Sequence, residues 1–240
     1  MSIETKDSEY CMNLYFEDQI EGLKTVTEYF CSLFGLDIYS INISRYTILN
    51  GPSDVIEWII QRQKRLSAFW VEHLDASDTV ASLLLDKCRI GSSAYINMKV
   101  PHQFEFNFKF EGDGYLEIQR GSWFTLENML NVNCEKLSLR GTSLTNRDIN
   151  LFLKHWMSTD LKFTQIKIYP EKPMSENVIF TGIPTVRKNT KVYKETEVFA
   201  IYKGFQVKRN DGLKTARIMV NHVDPYNRHG LFWMVIWDTV

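Results

Sequence analysis

The stretch CEKLSLRGTSLTNRDINLFLKHWMSTDLKFTQIKI (Cys134–Ile168) decides the fold, because its hydrophobic period changes twice. It begins with the alternation Leu137-x-Leu139 and ends with Ile166-x-Ile168, a pattern typical of β-strands with one buried face. Between them, Thr145 and Asp148 stand three positions apart, as a helix N-cap and its partner should. Four apolar residues then follow helical spacing: Ile149, Phe152, Leu153 and Trp156. The stretch therefore predicts a strand, a helix and a second strand, the βα unit of a parallel sheet.

The same alternation recurs along the chain. The segments are Ile41-x-Ile43, Phe69-x-Val71, Ile96-x-Met98, Leu116-x-Ile118, Leu137-x-Leu139 and Ile166-x-Ile168. Their first residues lie 28, 27, 20, 21 and 29 positions apart, and leucine-rich repeats have periods of roughly 20–29 residues. We therefore predict an α/β fold, a leucine-rich-repeat-like βα solenoid with a parallel sheet, over residues 36–170.

Segments with helical spacing lie between the predicted strands. Candidate helix starts are Pro52-Ser53 and Ser77-Asp78, and a third apolar helical segment follows Trp123. The region around Phe104–Phe110 is different, because its phenylalanines alternate strictly. Gly112-Asp113-Gly114 then interrupts the alternation, so we predict an extra strand and a hairpin turn there.

Two flanking regions complete the predicted organisation. Residues 1–35 form an N-terminal tail and a capping helix, Glu21–Phe34. Residues 171–240 form a linker and a C-terminal antiparallel β segment that closes the open end of the solenoid. In this segment Asn210-Asp211-Gly212 separates two alternating runs, which predicts a hairpin with a type I′ turn. Leu231–Trp237 is predicted to form a further strand.

Polar side chains alternate with the apolar ones in the predicted strands, so they define a second, hydrophilic face of the sheet. We predict that this concave face binds a protein partner through Asn42, Trp70, Glu72, Tyr95, Asn97, Lys99, Glu117, Gln119, Arg140 and Lys167. Trp70 has two interpretations. It is an exposed anchor if the register is right, and it is buried if the register is wrong by one residue.

Composition and motifs argue against several classes of function. The 28 Lys and Arg residues balance 29 Asp and Glu residues, so we expect no nucleic-acid partner and no membrane binding. We find no catalytic motif, metal site or cofactor motif, and we expect a protein that is not an enzyme and needs no cofactor. His222 and His229 are interpreted as loop residues rather than metal ligands. The lack of a signal sequence and of cysteine pairs such as C-x-x-C indicates a cytoplasmic or nuclear protein.

A resemblance to a known family lies in the central segment and near the C-terminus. The residues that carry it are Trp123–Leu130, Asn133–Leu137, Leu144–Trp156, Arg209–Gly212 and Thr215–Ile218. The run Asn150-Leu151-Phe152-Leu153-Lys154-His155-Trp156 is the most specific part. These residues resemble the F-box-associated domain (type 2) of nematode-type F-box proteins, with a core at about residues 122–170.

The resemblance implies a function in protein recognition. In that family an N-terminal F-box docks on the adaptor of a cullin-type (SCF) ubiquitin ligase, and the associated domain is presumed to recognise the substrate. The Leu-Pro opening of an F-box is missing here, and no proline precedes Pro52. We therefore expect a chain without the F-box and with doubtful adaptor binding. Three alternatives stay open: a substrate-recognition module alone, an orphaned paralogue without ligase function that acts only as a structural or binding protein, or a truncated product.

Overall fold

The computed structural model describes residues 2–6, 9–44, 52–100, 108–110, 112–190, 192–194, 197–201, 203–224 and 227–239. The helices are α1 (Gln19–Phe34), α2 (Pro52–Arg62), α3 (Asp78–Ser82), α4 (Leu126–Leu130), α5 (Asn146–Ser158) and α6 (Glu176–Ile179). A π-helical turn, Leu83–Lys87, continues α3, and a 3-10 turn, Gly121–Trp123, precedes α4. The strands are β1 (Ser2–Lys6), β2 (Glu9–Asn13), β3 (Ser40–Ser44), β4 (Leu66–Asp75), β5 (Ile90–Lys99), β6 (Tyr115–Gln119), β7 (Lys136–Thr142), β8 (Gln165–Pro170), β9 (Val186–Lys188), β10 (Val192–Lys194), β11 (Glu197–Ile201), β12 (Gly204–Lys208), β13 (Lys214–Asp224) and β14 (Asn227–Asp238).

Among the described residues, ten strands form one mixed sheet in the order β3-β4-β5-β6-β7-β8-β14-β13-β12-β9. Strands β3 to β8 are parallel and lie side by side in chain order. Strand β14 pairs antiparallel with β8, and β13, β12 and β9 continue the antiparallel part. The structure therefore confirms the α/β class, with a parallel sheet and a C-terminal antiparallel β segment.

The register of the parallel strands corrects one detail of the predicted repeat. Phe69 in β4 lies opposite Ala94 in β5, and Val71 lies opposite Ile96. The repeat position in β5 is therefore Ala94, two residues before the predicted Ile96. Ala94 and Ile96 point to the same face because strand side chains alternate. The two-residue difference therefore changes the predicted repeat spacing, but the predicted buried face of β5 is correct. An alanine gives a weak hydrophobic signal, which explains the error.

The apolar residues of the parallel strands form the centre of the hydrophobic core. One row across the sheet has a relative exposure of 0% at every position: Ile43, Val71, Ile96, Ile118, Leu139 and Ile168. Fully burying one such side chain contributes about 1.5–3 kcal/mol. Residues of α2, α4 and α5 belong to the same buried cluster, so this face of the sheet is the helix-covered face.

Helix α5 forms as its sequence predicts. The Asp148 backbone N–H donates to the Thr145 hydroxyl, and the Asp148 carboxylate accepts from the Thr145 N–H at 2.7 Å, which completes a capping box. Trp156 is 0% exposed within the core, whereas Lys154 is exposed. The prediction that Trp156 is a core residue is confirmed.

The predicted hairpin at Gly112–Gly114 is wrong. Strand β6 follows these residues and pairs in parallel with β5 and β7, so no antiparallel partner precedes it within the described residues. Phe110 forms an isolated parallel bridge with Val132. Phe108 and Phe110 are both buried, as their alternation suggests, and residues 104–107 of the predicted strand lie outside the described residues.

The hairpin at Asn210-Asp211-Gly212 is confirmed, but its turn type is not. Strands β12 and β13 pair antiparallel around it, with Lys208 opposite Thr215. Only Gly212 has a positive φ, at 76°, and a type I′ turn requires two such residues. The Arg209 N–H donates to the carbonyl of Lys214, so the connection is longer than a two-residue turn.

The predicted capping helix corresponds to α1. It begins two residues earlier than predicted, because Asp18 caps it by accepting from the N–H groups of Ile20 and Glu21. Gly35, at φ 64°, ends it in the left-handed conformation. In the part of the chain that the structure describes, no helix is long and apolar enough to span a membrane.

Candidate functional site

A continuous row of side chains crosses the sheet on the face opposite the helices. Successive pairing partners build it: Asn42, Trp70, Tyr95, Glu117, Ser138 and Lys167. Trp233 of β14 pairs with Lys167 and extends the row into the antiparallel part. Neighbouring strands lie about 4.7–4.9 Å apart, so these residues form one connected surface, which we call the central row.

A second row lies two residues further along the strands, on the same face. We call it the outer row, and its members are Glu72, Asn97, Gln119, Arg140 and Tyr169. Lys99 lies beyond Asn97 at the end of β5, opposite Asp75 of β4. The ten residues proposed from the sequence therefore lie on one side of the sheet, with Asn42 on the edge strand and Lys99 furthest from the central row.

Trp70 is the large apolar residue of the central row that is most open to solvent. Its relative exposure is 38%, although the preceding residue, Phe69, is fully buried. Its ring centroid lies 5.9 Å from that of Tyr95, with the planes tilted by 37°. The Trp70 and Tyr95 rings contact each other, and the Trp70 ring is also partly open to solvent. This arrangement favours the interpretation of Trp70 as an exposed anchor.

Hydrogen bonds fix the middle of the face. The Tyr115 hydroxyl donates to the Glu117 carboxylate, which also accepts from the Gln119 amide. Burial raises the pKa of Tyr115 well above its usual value, and the bond to the Glu117 carboxylate raises it further. Glu117 is therefore held in one orientation by its neighbours on the same strand.

Two cations lie over aromatic rings further along the face. The guanidinium carbon of Arg140 is 3.5 Å from the centroid of the Tyr169 ring. The Lys167 ammonium lies 5.2 Å from the ring centroid of Trp233. Such contacts contribute roughly 0.5–1 kcal/mol at exposed sites and also restrict the side chains. The two cations are therefore pre-oriented.

Asn97 lies in a more enclosed position than the sequence suggested. It is only 8% exposed, and its side-chain Nδ2 donates to His73 Nδ1 at 3.4 Å. Its Oδ1 has no hydrogen-bond partner. His73 has a positive φ of 51° at an irregularity between Val71 and Leu74, and such a backbone is unusual for a residue other than glycine. Asn97 thus offers one unsatisfied acceptor rather than an open side chain.

The antiparallel part of the same face is less accessible. Arg217 of β13 and Val235 of β14 are each only 3% exposed. Arg217 donates to the carbonyl of Thr190 at 3.0 Å and to the side chain of Gln206 at 3.4 Å. Burial lowers the pKa of Arg217. The accessible polar surface therefore belongs mainly to the parallel strands.

Sequence reasoning missed several residues of the face. Tyr115 lies on a predicted strand, and the alternation could have identified it. The alternation does assign Tyr169 to the polar face, although it was not among the proposed binding residues. Trp233 lies on a strand that was predicted, but only the pairing of β14 with β8 brings it beside Lys167. His73 depends on a local irregularity of β4, which carries no clear sequence signal. Among the side chains that the structure describes, no group of three His, Cys, Asp or Glu residues could hold a metal ion.

Comparison with known protein families confirms the resemblance found in the sequence. The family model described as "F-box associated" matches residues 101–162. In the described part of this segment, β6, α4, β7 and α5 form the centre of the parallel sheet and its helical cover. Residues 101–162 of this chain are therefore similar to the F-box-associated family.

A curated relative extends the similarity beyond that segment. The Skn-1 dependent zygotic transcript 15 protein of Caenorhabditis elegans is 23% identical over 163 residues. The match covers 63% of this chain and 46% of the relative, so the chain corresponds to about half of that protein's length. A comparison with the solved structures finds no match.

Proposed function

We propose that the chain is a protein-recognition module and that its partner binds across the central row of the parallel strands. The observation that carries this proposal is the half-exposed Trp70 beside Tyr95, in a row of polar and charged side chains. Tryptophan and tyrosine are enriched among residues that dominate binding energy, because they bury a large area with few rotatable bonds. The remaining residues of the face give polar specificity around this anchor.

The architecture suits such a role. We interpret β3 to β8 as a short leucine-rich-repeat-like solenoid, residues 36–170, flanked by the N-terminal unit 1–35 and the C-terminal segment 171–240. Solenoids bind partners over surfaces built from equivalent positions of successive repeats. The central row has this organisation, since each of six successive strands contributes one side chain.

The chemistry of the face favours a protein partner of mixed charge. Glu72 and Glu117 lie among the first strands, and Arg140 and Lys167 lie on β7 and β8. The arrangement differs from the cationic surface that phosphate backbones require, in keeping with the formal net charge of −1. We expect a polypeptide that places basic groups near β4 to β6 and acidic groups near β7 and β8.

The family supports a more specific context. We propose that the bound partner is a substrate of a cullin-type (SCF) ubiquitin ligase, which implies a cytoplasmic or nuclear protein. The alternative is an orphaned paralogue that binds its partner without any ligase. These two possibilities differ in whether a ligase adaptor accompanies the captured partner.

An affinity capture with matched variants tests both the proposed binding face and the proposed ligase context. The double variant Trp70→Ala/Tyr95→Ala alters the central row, and Leu151→Ala alters an exposed apolar residue of α5 on the helix-covered side. Proteins that bind the wild type and Leu151→Ala, but not the double variant, are partners of the central row. Identical capture by all three would refute the proposed binding face. Adaptor in the same captures supports the ligase context, and specific partners without adaptor support the orphaned paralogue.

A further inference from the structure

The N-terminal part of the structure exposes an unusual amount of apolar surface. Of the 15 exposed large hydrophobic side chains among the residues with described side chains, ten lie between residues 14 and 39. They are Leu14, Tyr15, Phe16, Leu23, Tyr29, Phe30, Leu33, Phe34, Leu36 and Tyr39. Scattered single apolar residues are normal on a protein surface, but a concentration of this kind indicates an interaction site.

Three exposed apolar residues of α1 and the half-buried Val26 form an ordered stripe. Leu23, Val26, Phe30 and Leu33 alternate in steps of three and four, the spacing of the a and d positions of a helix that pairs with another helix. We call these four residues the α1 stripe. Phe30 also stacks on Phe34, with ring centroids 6.2 Å apart and planes nearly parallel. At its N-terminal end, Leu23 and Val26 line a groove of about 440 Å³ with residues 14–16.

The ionic residues of α1 lie away from the stripe. Glu21 pairs with Lys24 on the same helix at 3.0 Å, and Glu28 pairs with Arg62 of α2 at 3.1 Å. Glu28 therefore faces the body of the protein. The positions that flank the stripe within the helix include Gly22, Thr27 and Tyr29, all uncharged. A surface of this kind offers no charge complement to an ionic partner, and it can meet a copy of itself without like-charge repulsion.

We propose that the α1 stripe is the interface of a homodimer, in which α1 of one copy packs against α1 of the second copy about a twofold axis. The available area is sufficient. Tyr29 and Phe34 contact Phe30, and residues 14–16 line the groove with Leu23, so eight of the ten side chains belong to the stripe or adjoin it. They are 40–75% exposed, and side chains of roughly 150–250 Å² each then offer on the order of 800 Å². A stable interface requires about 800 Å² from each partner.

The opposite end of the sheet explains why the assembly stops at two copies. Edge strand β3 at the α1 end has the uncharged sequence Ser-Ile-Asn-Ile-Ser. Edge strand β9 at the other end is short and fully exposed, and it carries Arg187 and Lys188. Charges on a short edge strand oppose edge-to-edge association. The α1 stripe therefore packs against the same stripe of a second copy. A twofold interface of this kind uses the same surface on both copies and forms a closed dimer.

Sedimentation of the full chain over a range of concentrations tests the proposal. We expect a dimer that dissociates on dilution. The double variant Leu23→Lys/Phe30→Lys should raise the dissociation constant roughly 100-fold or more, because it places unpaired charges in the contact. Leu151→Lys, at a residue of α5 with similar exposure (44%), should leave the dimer unchanged. A wild-type chain that is monomeric at every concentration, or a dimer that the stripe variant does not weaken, would overturn the proposal.

Cross-linking gives a second measurement that needs no disruption of the surface. In a Cys31→Ser background, the Val26→Cys substitution places one thiol near the middle of the α1 stripe. Mild oxidation should join two copies through this thiol, while Leu151→Cys in the same background should remain unlinked. A folded Val26→Cys protein that forms no covalent dimer would contradict the packing of α1 against its copy.

Discussion

The two faces of the parallel strands differ at consecutive residues. In β4, Phe69 is fully buried under the helices, and the next residue, Trp70, is 38% exposed on the opposite face. The helix-covered face consists of fully buried aliphatic and aromatic side chains. The other face holds polar groups arranged by hydrogen bonds and cation–ring contacts. The period of two in a strand thus separates the buried core from the proposed recognition surface. Substitutions one residue apart should therefore have different effects.

The largest expected effect is on the helix-covered face. Phe69→Ala should lower the free energy of unfolding by about 3–5 kcal/mol, because it removes a fully buried ring and leaves a cavity. Chemical denaturation measures this change. Leu151→Ala, at an exposed residue, is the control and should cost less than about 1 kcal/mol. A loss below about 1 kcal/mol for Phe69→Ala would contradict the assignment of the buried face.

An intermediate effect is expected at Arg209, which supports the hairpin between β12 and β13. Its side chain is 4% exposed and pairs with Asp160 at 2.7 Å and with Asp211 at 2.6 Å. Arg209→Met should lower the free energy of unfolding by about 1–2 kcal/mol, less than for a fully buried pair, because both carboxylates keep contact with water. Lys208→Met on the adjacent exposed position is the control. Equal stability of the two variants would show that the ion pairs contribute nothing.

The same ion pairs predict a pH dependence. Hydrogen bonding to Arg209 holds the pKa of Asp211 below its usual value. A carboxyl group with a depressed pKa stabilises the folded state above its unfolded pKa, and this contribution is lost as the pH falls through the folded pKa. The stability difference between the wild type and Arg209→Met should therefore persist at neutral pH and shrink below pH ~4. A difference that is constant down to pH ~2 would contradict this account.

A smaller effect on stability is expected on the polar face. Trp70→Ala should lower the free energy of unfolding by about 1 kcal/mol or less, since the indole is already partly in water. Its loss should nevertheless weaken partner binding at least ~30-fold, the effect of removing a residue that dominates an interface. Thermal unfolding measures the effect on stability, and an affinity measurement on the same sample measures the effect on partner binding. A loss of ~3 kcal/mol would show that Trp70 is a core residue.

The smallest effect is expected at the hydrogen bonds within β6. Glu117→Gln should lower the pKa of Tyr115, because the neutral amide no longer opposes the phenolate, while burial still holds it above the usual value. Spectroscopic titration of tyrosine at alkaline pH measures the change, with Gln119→Ala as the control. In the wild-type protein the raised pKa of Tyr115 contributes stability that is fully present below the pKa of tyrosine in the unfolded chain. This contribution is lost as the pH rises through the pKa of Tyr115 in the folded protein. An unchanged titration of Tyr115 in Glu117→Gln would argue against this bond.

The parallel half of the fold could be predicted from the sequence because its order follows local patterns. Strand and helix periods alternate, and α5 carries both its capping box and its apolar stripe. The antiparallel half was predicted as a hairpin and a further strand, without the order of its strands in the sheet. Its position beside β8 depends on the pairing of Trp233 with Lys167, a contact between residues far apart in the chain. Such contacts are determined by packing of the whole sheet, which leaves no short-range signal.

The polar face was partly predictable for the same reason. Alternation assigned Trp70 and Glu117 to one side of the sheet, but it gave no information about side-chain contacts. The burial of Asn97 and its hydrogen bond to His73 depend on a local irregularity of β4. The length of the 210–212 turn was also wrong, because one glycine satisfies several turn types.

The central claim is that partners bind the polar face of the parallel strands, and site-specific photo-cross-linking tests it most directly. A photoreactive phenylalanine analogue at Tyr95 lies on that face, and the same analogue at Leu151 lies on the helix-covered side. The account predicts that irradiation in cells links one defined set of proteins from position 95 and not from position 151. Cross-links from position 151 alone, with none from position 95, would contradict it.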